Sequence, residues 1–228
     1  MPRGRTKVAN PETAQRILAA AEAHFAAQGM AGARTEEIAL AAHANKAMLY
    51  YYFGDKRRLH RAVLENLLRQ LRKNVYGPDR PSATAREKLL HFVNAYFDFL
   101  ATHPNYPRLV QRAAIEATKQ FEWIKREYMR PFVNRLISLV EAGIESGEFR
   151  RVNPKHTAFT IMGMTTSYFA AAPIFSAVVG HDLLAPEAVR ERKVALMDFL
   201  EHALLSAKAK ARAKTTRSKS SHTKASNR

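Results

Sequence analysis

Apolar residues recur at helical spacing along nearly all of this chain, and no stretch alternates in the manner of a strand. Ile17, Leu18, Ala21 and Phe25 form the first stripe. Pro11 suits the opening turn of that helix and Gly29 its C-terminal cap, so the pattern predicts a helix over about 11–28. Ile38, Ala39 and Ala42 mark one buried face of a second, short helix, with Thr35 before it as a hydroxyl cap. After a three-residue break a third helix begins at Lys46. A fourth, over about 56–74, carries Leu59, Val63, Leu67, Leu68 and Leu71 and links the first part to the rest. The turn-rich run GPDRPS at 77–82 then interrupts the pattern.

Five further helices are predicted beyond that break. The first covers about 84–102, with Leu89, Phe92, Val93, Tyr96, Phe97 and Leu100 apolar, and HPNYP at 103–107 stops it. The others cover about 108–118, 121–146 with a kink at Pro131, 154–179 and 186–207. An all-α chain of about nine helices results. It divides into a basic arm at 1–10, a three-helix domain at 11–56, a larger helical domain at 57–206 and a basic tail at 207–228.

Thr35 to Lys56, TEEIALAAHANKAMLYYYFGDK, is two short helices joined by a tight turn. That arrangement is a helix-turn-helix, whose second helix fits the major groove of DNA. Several spaced elements occur here in order: the first stripe ending at Gly29, then Thr35, Ile38, Ala39 and Ala42, then Lys46, Leu49, Tyr50, Tyr52, Phe53 and Lys56. Over roughly residues 11–60 the chain resembles the DNA-binding domain of TetR/AcrR-type bacterial transcriptional regulators. One position departs from that pattern. His43 stands where the family usually has glycine in the turn, a place that often needs positive φ.

The resemblance, with helix geometry, turns Asn45, Lys46, Ala47, Met48, Tyr50 and Tyr51 outward. Lys46 can donate to guanine O6 or N7, or to a phosphate, and Ala47 and Met48 can touch a thymine methyl. By resemblance, Tyr50 holds the DNA backbone, Lys56 grips a phosphate, and Thr35 meets another at a helix N-terminus. Leu49, Tyr52 and Phe53 are expected to face inward. The family pairs through its last helices, here about 154–179 and 186–206, so that two heads read a near-palindromic operator. Ile161 to Val179 is apolar nearly all round and needs cover on both sides, and Gly163 and Ala170 to Ala172 permit close approach. The final helix adds Val189, Val194, Leu196, Met197, Leu200 and Leu204. The larger domain of the family encloses a small-molecule effector that releases DNA. Phe92, Tyr96, Phe99, Trp123, Tyr128, Phe132, Met162 and Tyr168 are the candidate lining, suited to an apolar or aromatic ligand.

Charge sharpens this picture. The net charge is +17, and it concentrates at the ends. Arg3, Arg5 and Lys7 lie in the first ten residues, and 206–228 hold eight cations and no acid. Such segments suit salt-sensitive phosphate contacts, and Arg3 and Arg5 are candidate DNA contacts. The same charge also fits another function, an architectural protein coating DNA with little sequence preference. With no cysteine, disulfides, thiolate catalysis and cysteine metal sites are excluded. No apolar run is expected to span a membrane, so a cytoplasmic protein, nucleoid-associated when bound, is the reading. His91, His103 and His156 are scattered singly, Arg112 and Glu116 can pair one turn apart, and no nucleophile-elbow, phosphate-loop or zinc pattern occurs. No metal, cofactor or catalytic residue is expected.

Overall fold

The computed structural model describes residues 10–77, 81–115 and 119–207, the side chains of Lys119 and Gln120 excepted. Arg3, Arg5, Glu116 and all but the start of the basic tail lie outside the described residues. Among those described, all regular structure is helical: α1 (Pro11–Gly32), α2 (Thr35–Ala41), α3 (Lys46–Phe53), α4 (Lys56–Val75), α5 (Ala85–Thr102), α6 (Tyr106–Ile115), α7 (Lys119–Ile124), a π-helical turn (Lys125–Met129), α8 (Arg130–Glu145), α9 (Pro154–Val179) and α10 (Pro186–Leu204).

The chain forms two compact units that do not follow sequence order. The first comprises Met1–Leu71 and His103–Trp123, the second Arg72–Thr102 and Ile124–Arg228. Their division therefore falls inside α4 and takes α6 into the first unit, where the sequence pattern had suggested a break at 77–82.

In the first unit, Ile17, Ala21 and Phe25 of α1 are buried with Ile38 and Ala39 of α2, Leu49 of α3 and Leu59, Val63, Leu64, Leu67 and Leu68 of α4. Each leucine, isoleucine, valine or phenylalanine among them contributes roughly 1.5–3 kcal/mol on removal from water, and each alanine about 0.8 kcal/mol or less. His60 is also buried, with its ring edge-on to Phe25 at 4.8 Å. Gly29 takes φ 73° and breaks the regular winding of α1. Leu109 and Ala113 of α6 are buried. Arg112 donates to the Ala27 carbonyl at 3.0 Å, which fastens α6 to α1.

The second unit packs α8 against α5 and α9, with α10 alongside. Phe97 meets Phe169 with ring centres 5.0 Å apart. The long helix expected over 121–146 is instead interrupted by the π-helical turn. Pro131 supplies the reason: it has no N–H for the Glu127 carbonyl four residues back, and its ring crowds that carbonyl, so the winding loosens just before it. Likewise α10 stops at Leu204 and does not run on to 207. There Arg150 N–H donates to Leu204 and Ser206 N–H to Glu148, a single antiparallel bridge that draws the backbone out straight. Arg86–Glu201 at 2.7 Å and Lys193–Asp98 at 2.6 Å fasten α10 to α5. Glu148 accepts from the backbone N–H groups of Ala85 and Arg86, satisfying donors left open at the start of α5.

The apolar character of α9 resolves into two faces. Ala158, Ile161, Thr165, Phe169 and Ala172 form a buried seam at helical spacing. Phe159, Ile174, Phe175, Val178 and Val179 remain exposed. Contrary to the expectation from sequence, α9 is long and apolar enough to cross a membrane by length and composition. Its buried seam belongs to a packed helical unit, and its other face is exposed. Within it, the hydroxyls of Thr160, Thr165 and Ser167 donate to carbonyls one turn back, which satisfies them on an apolar helix.

Gly143 on α8 carries the ring of Phe149, and a Cβ there would stand 2.0 Å from a ring carbon. Gly143→Ala is expected to destabilise the protein by about 2 kcal/mol, read as a lower denaturant midpoint at unchanged slope.

Candidate nucleic-acid interface

The turn between α2 and α3 is closed by three backbone hydrogen bonds. Ala42 N–H donates to Ile38, His43 N–H to Leu40, and Ala44 N–H to Ala39 at 2.9 Å. The nested pair from His43 and Ala44 is the double-bonded helix cap that requires a left-handed residue at its centre. His43 has φ 50° and is the one non-glycine residue at positive φ among the described residues. The structure thus keeps the glycine geometry without the glycine. Arg16 of α1 donates from Nε to the Ala42 carbonyl at 3.1 Å, satisfying an acceptor at the end of α2. Asn45 then caps α3, its side chain accepting from Met48 N–H at 2.8 Å.

From this start α3 presents two faces. Leu49 is fully buried. Asn45, Lys46 and Ala47 are exposed, Met48 is half-buried, and Tyr50 and Tyr51 are 41% and 67% exposed. Of the outward set read from the sequence, Asn45, Lys46, Ala47, Tyr50 and Tyr51 are exposed, whereas Met48 is partly covered. Tyr52 is half-buried, and its hydroxyl accepts from Asn10 N–H at 2.8 Å, holding the start of α1. Phe53 is also half-buried, less covered than expected of a core residue.

Two other positions differ from the sequence picture. Arg34, not Thr35, holds the N-cap position of α2, and it makes no side-chain cap bond. Thr35 is the first helical residue, 8% exposed, and its hydroxyl donates to the Glu36 carboxylate at 3.4 Å. Lys56 donates to the Ala31 carbonyl at 3.0 Å. Sequence reading passed over Glu36, whose carboxylate takes the Lys46 ammonium at 2.5 Å. It also missed Asp55, which caps α4 by accepting from Arg58 N–H at 2.8 Å. The Asp55 signal was available: an Asp three residues before a helix N–H is a common cap.

The candidate ligand residues scatter. Phe92, Tyr96 and Phe132 do come together, with ring centres 4.7–5.0 Å apart, as a buried cluster. The Tyr96 hydroxyl bonds Thr166 at 2.8 Å, and burial pushes it up to about 12. Phe99 is buried, and Tyr128 and Met162 are half-buried. Trp123 belongs to the first unit, with the Arg61 guanidinium 5.1 Å from its ring. Tyr168 donates to the Leu183 carbonyl at 2.6 Å under the Arg192 guanidinium, fixing the approach to α10. Of the eight, only Phe92 borders the cavity of about 720 Å³ in the second unit, whose lining includes Lys88, His91, Arg135 and Leu139. No cluster of three metal-ligating side chains occurs among the described residues.

Comparison with known proteins now decides the family. The model for bacterial regulatory proteins of the tetR family matches residues 17–63, the segment that holds the turn and α3. The model for the tetracyclin repressor-like C-terminal domain matches residues 86–200, half of the chain. The chain belongs to the TetR family. As such it is a DNA-binding transcriptional regulator. The HTH-type transcriptional repressor SCO4008 of Streptomyces coelicolor is 38% identical over 102 residues, 44% of this chain and 50% of that protein. The HTH-type transcriptional regulator RutR of Escherichia coli K12 is 28% identical over 173 residues, 73% of this chain and 78% of RutR. The structure of the ketosteroid transcriptional regulator KstR2 of Mycobacterium tuberculosis matches with a TM-score of 0.72 at 18% identity, over 89% of this chain and 98% of that one. That last likeness is one of fold.

The one strained residue of this TetR-family reading head yields a direct test. His43→Gly removes a Cβ from a left-handed position and should stabilise the protein by on the order of 1 kcal/mol, measured by chemical denaturation.

Proposed function

We propose that this TetR-family chain is a homodimeric repressor that leaves a near-palindromic operator when a small molecule binds. The observation that carries the reading is the single solvent-facing row on α3, Asn45, Lys46, Ala47, Tyr50 and Tyr51, on a helix anchored from behind by Leu49. Lys46, Ala47 and Met48 meet base edges, while Tyr50 and Tyr51 hold phosphates through their hydroxyls. Lys56 and Thr35 are further candidate phosphate contacts, and Arg3 and Arg5 of the basic N-terminal segment are additional candidates. The exposed residues of α9 with Val194 and Phe199 of α10 form the dimer face; burying so apolar a surface against its copy drives the association. The effector enters the second unit, with its apolar or aromatic body against Phe92 and Leu139. The protein acts in the cytoplasm, on the nucleoid, and we assign it no catalytic step.

Selection of bound duplexes from a random pool tests specificity. A recurring near-palindrome is expected, and uniform, salt-erased coating would instead favour an architectural protein. Tyr50→Ala should weaken the selected complex roughly tenfold while leaving the fold intact, the cost of one hydrogen bond to a charged phosphate; unchanged affinity would remove Tyr50 from the interface. Val178→Asp places a charge on a residue that is 75% exposed in the protomer. It should raise the dimer dissociation constant by about tenfold or more in sedimentation measurements, and no change would exclude that face.

A further inference from the structure

One cation on the reading face is already engaged. Lys46 Nζ lies 2.5 Å from Glu36 Oε1 and 5.8 Å from the centre of the Tyr50 ring. Glu36 sits in the first turn of α2 and Lys46 opens α3, so the pair bridges the two helices of the motif across its outer surface. Both side chains are open to solvent, 50% for Lys46 and 54% for Glu36. The hydrogen bond from Lys46 holds the Glu36 carboxyl down to about 2, and the same contact raises the lysine, so both are charged at any physiological pH. An exposed pair like this adds little to stability. Its effect falls on what Lys46 can do when DNA arrives.

A lysine free of acids gains most from phosphate, because it neutralises a charge and releases a counterion. A lysine paired with a carboxylate has no net charge to offer. Meeting a phosphate then brings the Glu36 carboxylate against a polyanion, which opposes the contact. Base edges are different. Guanine O6 and N7 are neutral acceptors that the ammonium can reach while still paired, and a carboxylate beside it can accept from a cytosine N4 amine.

Resting on the regulator reading above, we propose that Glu36 is a specificity-determining positioning residue. It holds the Lys46 ammonium for base edges and suppresses its use on phosphate. The two side chains together form one reading group that spans α2 and α3. Because it removes a non-specific contact, Glu36 lowers affinity for random DNA more than affinity for the operator.

The test uses the full-length protein and its Glu36→Gln, Lys46→Gln and doubly substituted forms. Two duplexes of equal length serve as probes, one selected by the wild type and one with its sequence scrambled. Glu36→Gln should bind the scrambled duplex several-fold more tightly. Its log–log salt slope there should steepen by about 0.9 per protomer, the increment of one phosphate neutralised. The ratio of selected to scrambled affinity should fall. In the Lys46→Gln background, removing the Glu36 charge should leave the slope unchanged. A wild-type slope and ratio in Glu36→Gln would overturn the proposal. So would an equal steepening with Lys46 gone, since that is only a general loss of negative charge. A wild type with no preferred duplex overturns this inference and the repressor reading together, whereas a clear preference with an unmoved slope overturns this inference alone.

Discussion

Two nested backbone hydrogen bonds, His43 N–H to Leu40 and Ala44 N–H to Ala39, set the direction in which α3 leaves α2. The rest of the reading head is arranged around that corner. Arg16 reaches across from α1 to the Ala42 carbonyl, so the corner is fastened to the long helix behind it. Asn45 starts α3 at once, leaving no slack between cap and cap. Leu49 then drives the inner side of α3 into the core, and the outer side is left to Lys46, Tyr50 and Tyr51. A helix this short is not stable on its own in water. Its orientation comes from caps, the buried Leu49 and the Tyr52 contact to Asn10, which is why a strained left-handed histidine is tolerated there: the surrounding bonds determine the backbone more strongly than the side chain opposes it.

Much of this was legible beforehand, and particular residues show why. The apolar stripes of α1 and α4 repeat at helical spacing and mark most of the buried positions, Leu18 being only partly covered. Pro154 and Pro186 marked the starts of α9 and α10, since proline costs nothing where no N–H partner is needed. His43 was identifiable from its place in the turn. The illegible features are those made by distant partners. Nothing local in α10 says that it ends at Leu204, because the bridge from Phe149 ends it. Nothing in Trp123 says that it belongs beside Arg61, nor in Tyr168 that its hydroxyl serves the Leu183 carbonyl. An aromatic side chain is apolar mass and polar tip at once, and a pattern of spacing weighs only the mass. Glu36 was overlooked for a related reason: an acid in the first turn of a helix is usual, and its pairing with Lys46 exists only once the turn is folded.

The chain leaves two distinctive surfaces exposed, and their chemistries differ. The face of α9 is apolar, non-directional in its demand and insensitive to salt, so whatever covers it is held chiefly by area. The face of α3 is polar and capped, and the partner proposed for it, duplex DNA, carries charge everywhere but its identity only in the grooves. On such a partner a surplus of positive charge is a hazard as well as an aid, since each unpaired cation strengthens every wrong complex as much as the right one. A chain with a net charge of +17 has attraction in excess. Restraint is the scarcer property, and a carboxylate placed 2.5 Å from Lys46, the first residue of α3, supplies it where the proposed reading gives it the most leverage.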